Sequence, residues 1–413
     1  MRIITGPEAV AAVERLAARG AEFGELEPRV HEIVKNVRRA GDQALRQYAE
    51  QWDGLEAKQS LQVSRRELAA AWKSLTPSLR KSLKEAAKNI RTFCEWQKLN
   101  SWNRSRAGVS LGQLVRPLGS VGCYVPGGRY PLMSTVLMTV IPAQVAGVKH
   151  IRLVSPKPSA EVLGAAAMLG ITEFYCVGGA QAITALAYGT ETIPRVDKIV
   201  GPGNAYVTVA KKLVAFDCAI DFLAGPTEAV IMSDSGNADF IAADLVAQAE
   251  HDTDALSVFI TTSQKLAQAV EHSVSRLAAE NQTAQESLKT RGVILVAASR
   301  TQSRDWANQL APEHITVSKP DLPFIQNAGS IFVGDYSSQA AGDYASGPNH
   351  VLPTAGQARF RGGLSVMDFV KVITVQQLSA AGLRSMAPMI ECLAAAEGLP
   401  AHSKSIRVRC ERA

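Results

Sequence analysis

An α/β architecture with a parallel sheet covered on both faces is what this sequence predicts. From about residue 118 onward, short apolar runs end in glycine-rich turns, and stretches with helical periodicity follow them. The first hundred residues instead read as helical throughout. No repeat with a period of ~20–50 residues is visible, which excludes a solenoid, and no segment is low in complexity.

In chain order, residues 8–18 carry Val10, Val13 and Leu16 at helical spacing, and Val30, Ile33, Val34 and Val37 mark a second helix. Ser64-Arg65-Arg66-Glu67 has the form of a capping box ahead of Leu68. Thr76-Pro77 supplies an N-cap with proline at the first helical position, and Leu79, Leu83, Ile90 and Phe93 follow on one face. Phe174-Tyr175-Cys176-Val177 reads as a strand leading into Gly178-Gly179 and a helix over 180–188. Lys198-Ile199-Val200 leads likewise into Gly201-Pro202-Gly203 and a helix over 204–214. Further strands are expected at 230–232, 258–261, 293–296 and 331–333, with helices between them.

A chain of 413 residues exceeds what one core usually sustains, so two or more domains are expected. Hydrophobic residues make up 46% and charged residues 20%, ordinary for a globular protein. The longest apolar runs, such as 132–141, fall short of the ~18 residues of a membrane span. Met1-Arg2-Ile3-Ile4-Thr5-Gly6-Pro7 has no signal-peptide apolar core. The expectation is a cytoplasmic protein with no membrane partner. The net charge of +6 comes from basic residues interspersed with acids, as in Arg38-Arg39-Ala40-Gly41-Asp42, which argues against a nucleic-acid partner. Cys94, Cys123, Cys176, Cys218, Cys392 and Cys410 are scattered, so neither a thiolate zinc finger nor a disulfide framework is expected.

Three glycine-rich turns, Tyr124-Val125-Pro126-Gly127-Gly128, Gly178-Gly179-Ala180-Gln181 and Gly201-Pro202-Gly203-Asn204, each follow an expected strand. Glycine lets backbone approach a ligand, and the next helix offers its amides to anionic groups. Singly each could be a tight turn and nothing more; three together point to a binding edge. Neither G-x-G-x-x-G nor G-x-x-x-x-G-K-[ST] occurs, so a standard Rossmann dinucleotide site and a P-loop lack support.

Gln248-Ala249-Glu250-His251 lies in an apolar helical pattern starting near Ile241. Gln248 and His251, three apart, are expected to share a helix face, and an oxygen with an imidazole suits a catalytic zinc with an open position. Taken alone, such a histidine is more often exposed or satisfied in the core. Pro312-Glu313-His314 stands at the start of an expected strand and pairs two groups able to act as acid and base near neutral pH. By itself it could equally be a surface pair. Residues 342–350 form a polar, turn-rich loop in which Asp343 could complete a metal shell, and His402 could supply another imidazole.

These segments, with Gly225-Pro226-Thr227-Glu228, the loop 343–354 and Glu397-Gly398-Leu399-Pro400-Ala401-His402, resemble the histidinol dehydrogenase family in order and spacing over nearly the whole chain. The resemblance implies two incomplete Rossmann-like domains with parallel sheets in an intertwined homodimer. Its parts would be an N-terminal helical segment at 1–22, a first domain from 23–119 and 228–364, a second domain at 120–227, and a C-terminal tail at 365–413. It implies zinc held by Gln248, His251, Asp343 and His402, the last from the partner subunit. It implies Glu313 and His314 as the acid–base pair, and NAD contacts at Tyr124, Gln181 and Asn204. Thr227, His350 and Glu397 would line the substrate pocket together with Gln248, His251, His314, Asp343 and His402. Thr227 stands where many members have serine, and Arg361-Gly362-Gly363-Leu364 replaces a serine-rich stretch.

The implied reaction is the oxidation of L-histidinol to L-histidine through histidinaldehyde, with two NAD. Three other readings compete: a related dehydrogenase acting on another alcohol, such as a sulfonated propanediol, a zinc hydrolase using Gln248, His251, Asp343 and Glu313, and a non-catalytic binding protein, which would need no adjacent Glu-His pair. The hydrolase leaves the three glycine turns unexplained.

Overall fold

The computed structural model describes residues 1–20, 24–127 and 131–411. Gly128 of the first glycine turn and residues 21–22 of the expected N-terminal segment lie outside the described residues.

The chain begins with strand β1 (Arg2–Thr5) and helix α1 (Gly6–Ala17), then α2 (Leu26–Tyr48), α3 (Arg65–Ser74) and α4 (Pro77–Trp96). The capping box forms: the Ser64 hydroxyl accepts from Glu67 N–H at 3.2 Å and the Glu67 carboxylate accepts from Ser64 N–H at 2.7 Å. Thr76 caps α4 through Leu79 N–H. Val30, Ile33, Val34 and Val37 are all buried, each contributing roughly 1.5–3 kcal/mol by leaving water.

A hairpin follows, β2 (Trp102–Arg106) and β3 (Val109–Pro117), before the first run of parallel strands. That run comprises β4 (Ser120–Tyr124), α5 (Met133–Ala146), β5 (His150–Val154), α6 (Ala160–Met168), β6 (Glu173–Tyr175), α7 (Gly179–Tyr188), β7 (Lys198–Val200), α8 (Ala205–Val214) and β8 (Ala219–Ile220). The second run comprises β9 (Glu228–Met232), α9 (Ala238–Ala249), β10 (Leu256–Thr261), α10 (Gln264–Leu277), α11 (Gln282–Thr290), β11 (Val293–Val296), α12 (Arg300–Leu310), β12 (His314–Val317) and β13 (Ser330–Val333). Helix α13 (Gln339–Tyr344), strand β14 (Val370–Leu378) and helices α14 (Ala380–Ala396) and α15 (Pro400–Glu411) complete the chain.

Two parallel sheets result, ordered β1-β11-β10-β9-β12-β13 and β6-β5-β4-β7-β8, with a third, antiparallel sheet β14-β3-β2. Both parallel sheets are buried on two sides, as their unbroken apolar strands require. In the first, Val230 and Met232 face a core shared with α1 and α12, while Ile231 and Phe259 face one shared with α9 and α10. In the second, Val121 and Phe174 face α3 to α6, and Val154 and Ile199 face α2, α7 and α8. The α/β class with parallel sheets is thus as expected. Among the described residues no helix is long and apolar enough to cross a membrane.

Four expectations are corrected. The N-terminal segment is not only helical, because Arg2–Thr5 pairs in parallel with Val293–Val296. Helices α2, α3 and α4 pack on α7 and α8, on α6 and on α5, so residues 26–96 mainly cover the second sheet, while α4 also meets 228–364 where Asn89 donates to the Ala345 carbonyl. Their apolar faces share cores with Val121, Phe174 and Val154, and α4 shares one with Val351 and Leu364 as well. His251 lies beyond the end of α9, so it does not sit on a helix face with Gln248. Asp343 belongs to helix α13 and not to a loop.

Candidate active site

The expected acid–base residues stand at the amino edge of the first sheet. Helix α12 ends at Ala311 in the left-handed region (φ 46°, ψ 61°), which turns the chain sharply into Pro312 and the start of β12. Glu313 is thereby buried beside Thr227, the residue before β9: its Oε2 accepts from the Thr227 hydroxyl at 2.6 Å and from Glu228 N–H at 2.8 Å. Its Oε1 takes no hydrogen bond among the described residues. His314 Nδ1 lies 3.2 Å from the Glu228 carbonyl and 3.7 Å from Glu313 Oε2, and its Nε2 faces Asp343 Oδ1 at 3.6 Å. Adjacent strand residues normally point to opposite faces; here Glu313 precedes the regular strand, so both side chains serve one site.

Burial pushes the Glu313 carboxyl up to about 6, against the pull of His314, Thr227 and the Glu228 amide. For His314 burial is also the largest influence and acts downward, but Glu313, Asp343 and the Glu228 carbonyl together outweigh it and lift the imidazolium to about 9. Both groups are raised, the imidazole further than the carboxyl, so that a buried carboxylate and imidazolium stand side by side as a pair able to exchange protons with a bound group.

Around this pair the other expected residues gather unevenly. Gln248, in the last turn of α9, donates through Nε2 to the Thr227 hydroxyl, which leaves its Oε1 available. His251 Nδ1 faces the carbonyls of Ala247 at 3.0 Å and Gln248 at 3.3 Å, an arrangement that fixes the ring and frees Nε2. Burial would raise the Asp343 carboxyl, yet His314, His350 and His251 hold it below the ordinary carboxylate range. His350 Nδ1 lies 2.9 Å from the Asp343 carbonyl and its Nε2 3.5 Å from the Thr135 hydroxyl, near the start of α5. Elements of the second sheet therefore reach the site built on the first. Gln248, His251 and Asp343 carry oxygen and nitrogen donors of the types a catalytic zinc takes. No group of three or more His, Cys, Asp or Glu able to share a metal occurs among the described residues. Glu397 caps α14 and His402 lies on α15; both are exposed, and α15 packs on α14.

The expected cofactor residues come together at the carboxyl edge of the second sheet. Tyr124 ends β4, Gln181 lies in the first turn of α7, and Asn204 caps α8; all three line one cleft with Gly127, Gly179 and Tyr206. The Tyr124 hydroxyl accepts from Gly179 N–H at 3.1 Å, and burial pushes its phenol up to about 12. Glycine is required at Gly201, with φ 111°, where a Cβ would lie 2.1 Å from the Tyr124 carbonyl oxygen. The buried Gln181 Oε1 has no hydrogen-bond partner among the described residues, and a ligand donor would satisfy it.

Sequence reasoning missed three residues. Buried Asp53 accepts from Gly178 N–H at 2.9 Å and Gln181 Nε2 at 3.1 Å, shaping the cofactor cleft. Buried Glu228 and partly buried Arg19 form an ion pair beside Glu313. The only signal was that Glu228 adjoins Thr227 in a motif already singled out.

The histidinol dehydrogenase family model matches residues 17–410. The histidinol dehydrogenase of Aquifex aeolicus is 45% identical over 96% of this chain and 96% of its own. That of Methanothermobacter thermautotrophicus is 47% identical over 92% of both chains. The crystal structure of histidinol dehydrogenase from Elizabethkingia anophelis, 35% identical, matches with a TM-score of 0.94 over 100% of this chain and 98% of that one. An acetylating aldehyde dehydrogenase from Geobacillus thermoglucosidasius, 10% identical, matches with a TM-score of 0.50 over 89% of this chain and 96% of that one, a likeness of fold alone. The chain belongs to the histidinol dehydrogenase family.

Proposed function

We propose that this enzyme oxidises L-histidinol to L-histidine through histidinaldehyde, one water and two NAD+ being consumed and two NADH formed. The observation that carries this reading is the buried Glu313–His314 pair in a chain that also holds a cleft whose glycine turns suit a dinucleotide. Tyr124, Gln181 and Asn204 would contact NAD. His314, from its deprotonated form, which gains population as pH rises toward about 9, takes the hydroxyl proton as hydride leaves the alcohol carbon, and it serves proton transfer in the second oxidation as well. Glu313, held through Oε2 with Oε1 unengaged, takes a proton from the water that adds to the aldehyde.

Gln248, His251 and Asp343, with His402 of the partner subunit, would hold zinc. The ion would supply an anchor for the substrate imidazole and amine, a templating role. Thr227 and His350 line the pocket, and Glu397 pairs with the substrate ammonium. The tail supports an intertwined homodimer: Val372, Ile373, Val375, Met389 and Leu393 are all exposed in the single chain, an apolar surface that a second copy would cover. Six free cysteines support a reducing, cytoplasmic setting.

The test follows NADH from L-histidinol with and without a chelator. Two NADH per histidine, lost on chelation and restored by zinc, are expected. No NADH from histidinol with zinc-loaded enzyme would overturn the reading, and faster turnover of a sulfonated propanediol would move it to another alcohol.

A further inference from the structure

Glu228 spends its backbone and its side chain on different neighbours. Its N–H donates to Glu313 Oε2 at 2.8 Å and its carbonyl faces His314 Nδ1 at 3.2 Å. The first residue of β9 thus serves the acid–base pair through both backbone groups. Its carboxylate, 4% exposed, is gripped by a guanidinium fork: Arg19 Nε donates to Oε1 at 2.6 Å and Nη2 to Oε2 at 2.5 Å. Oε1 also accepts from Ala355 N–H at 2.9 Å, on the chain that has just carried Asp343 and His350. Arg19 is anchored in turn, Nη1 donating to the Leu16 carbonyl at 2.7 Å near the end of α1.

The geometry points to the Arg19–Glu228 pair as a positioning device for the acid–base residues, by which the N-terminal segment of the chain sets the placement of Glu313 and His314. A bidentate arginine–carboxylate pair fixes orientation as well as distance. With the Glu228 side chain pinned on three donors, its peptide groups are held where Glu313 and His314 need them. Arg19 makes no hydrogen bond to Glu313, His314 or Thr227 among the described residues, so its link to the acid–base pair runs through Glu228. An open cleft lined also by Arg15, Gly225 and Ala355 runs past Arg19 to Glu228, which leaves the carboxylate reachable from solvent once the guanidinium is removed.

The inference rests on Glu313 and His314 being the acid–base pair, and the experiment separates the two. Arg19→Ala is purified in zinc-loaded form and compared with the wild type for kcat, for KM of L-histidinol and of NAD+, for melting temperature and for zinc content. A misplaced acid–base group is worth up to about 100-fold. The expected result is a kcat at least 10-fold lower, both KM values within about 3-fold, full zinc content, and partial recovery on adding guanidinium but not sodium at equal ionic strength. Should Arg19→Ala fail to fold, Arg19→Lys, which keeps the charge and loses the fork, is expected to lose kcat with the same unchanged KM values. A folded Arg19→Ala with kcat within 2-fold of wild type overturns the inference, as does a loss that follows missing zinc and ignores guanidinium. A readout independent of turnover is the His314 imidazole nitrogen resonance, assigned with His314→Asn. It shifts in Arg19→Ala if the device is real and stays in place if it is not, even were histidinol to prove the wrong substrate.

Discussion

The two parallel sheets share a strand order and use opposite ends of it. In both, five strands run in the sense third, second, first, fourth, fifth. The second sheet gathers Tyr124, Gln181 and Asn204 at its carboxyl edge, next to the point where the order reverses, the usual place for a ligand in an open α/β sheet. The first sheet gathers Thr227, Glu313 and His314 at its amino edge, before β9 and at the start of β12. Binding at a carboxyl edge needs backbone that approaches closely, hence glycine. Chemistry at an amino edge needs side chains held by a strand just beginning, hence the left-handed Ala311, Pro312 and the hydrogen bonds of Glu228. On the proposed reading, one architecture divides cofactor binding and proton transfer between the carboxyl edge of one sheet and the amino edge of the other.

The largest effect tests whether the donor set belongs to the amino edge alone. Removing the metal should abolish turnover while melting temperature and NAD+ binding to the second sheet stay near normal, because the donors are those of a catalytic and not a structural site. Loss of NAD+ affinity on chelation, measured by calorimetry, would break the division. Next, His314→Asn should slow both half-reactions by ~10²–10⁴-fold, the usual worth of a general acid–base group, with NAD+ affinity kept; single-turnover measurements on histidinol and on the aldehyde decide it. At the other edge, Gln181→Ala should weaken NAD+ binding by about 10-fold, the scale of one lost hydrogen bond, with no change in KM for histidinol. A change in histidinol KM alone would place Gln181 at the wrong edge. The smallest effect concerns Cys123, which looks like a nucleophile for aldehyde oxidation but is fully buried, with its thiol pushed up to about 12 by burial. Cys123→Ser should keep turnover within about 2-fold, whereas losing a nucleophile costs ~1,000-fold or more.

How legible each edge was in the sequence follows from the same contrast. The carboxyl-edge cleft announced itself locally, since each strand, glycine turn and helix is contiguous; the strand at 293–296 and the helix opened by Asn204 appear where periodicity places them. The amino-edge site is assembled from residues far apart in sequence, and only the resemblance to a family connected Thr227, Gln248, Glu313 and Asp343. Strand β1 was missed because four residues carry no periodicity and its partner lies about 290 residues away. Strands β2 and β14 escaped because they are exposed or half-exposed along their length and so lack the alternation of a half-buried strand. The contribution of Glu228 was invisible because backbone groups deliver it, and backbone groups leave no mark on residue identity.

The most direct test of the divided edges is Glu313→Gln given L-histidinol and NAD+ in a single-turnover experiment, with NAD+ affinity measured on the same protein. The predicted result is about one NADH per site formed at a rate nearer wild type, histidinaldehyde accumulating in place of histidine, and an unchanged NAD+ dissociation constant. Equal slowing of both oxidations, or a loss of NAD+ affinity, would contradict it.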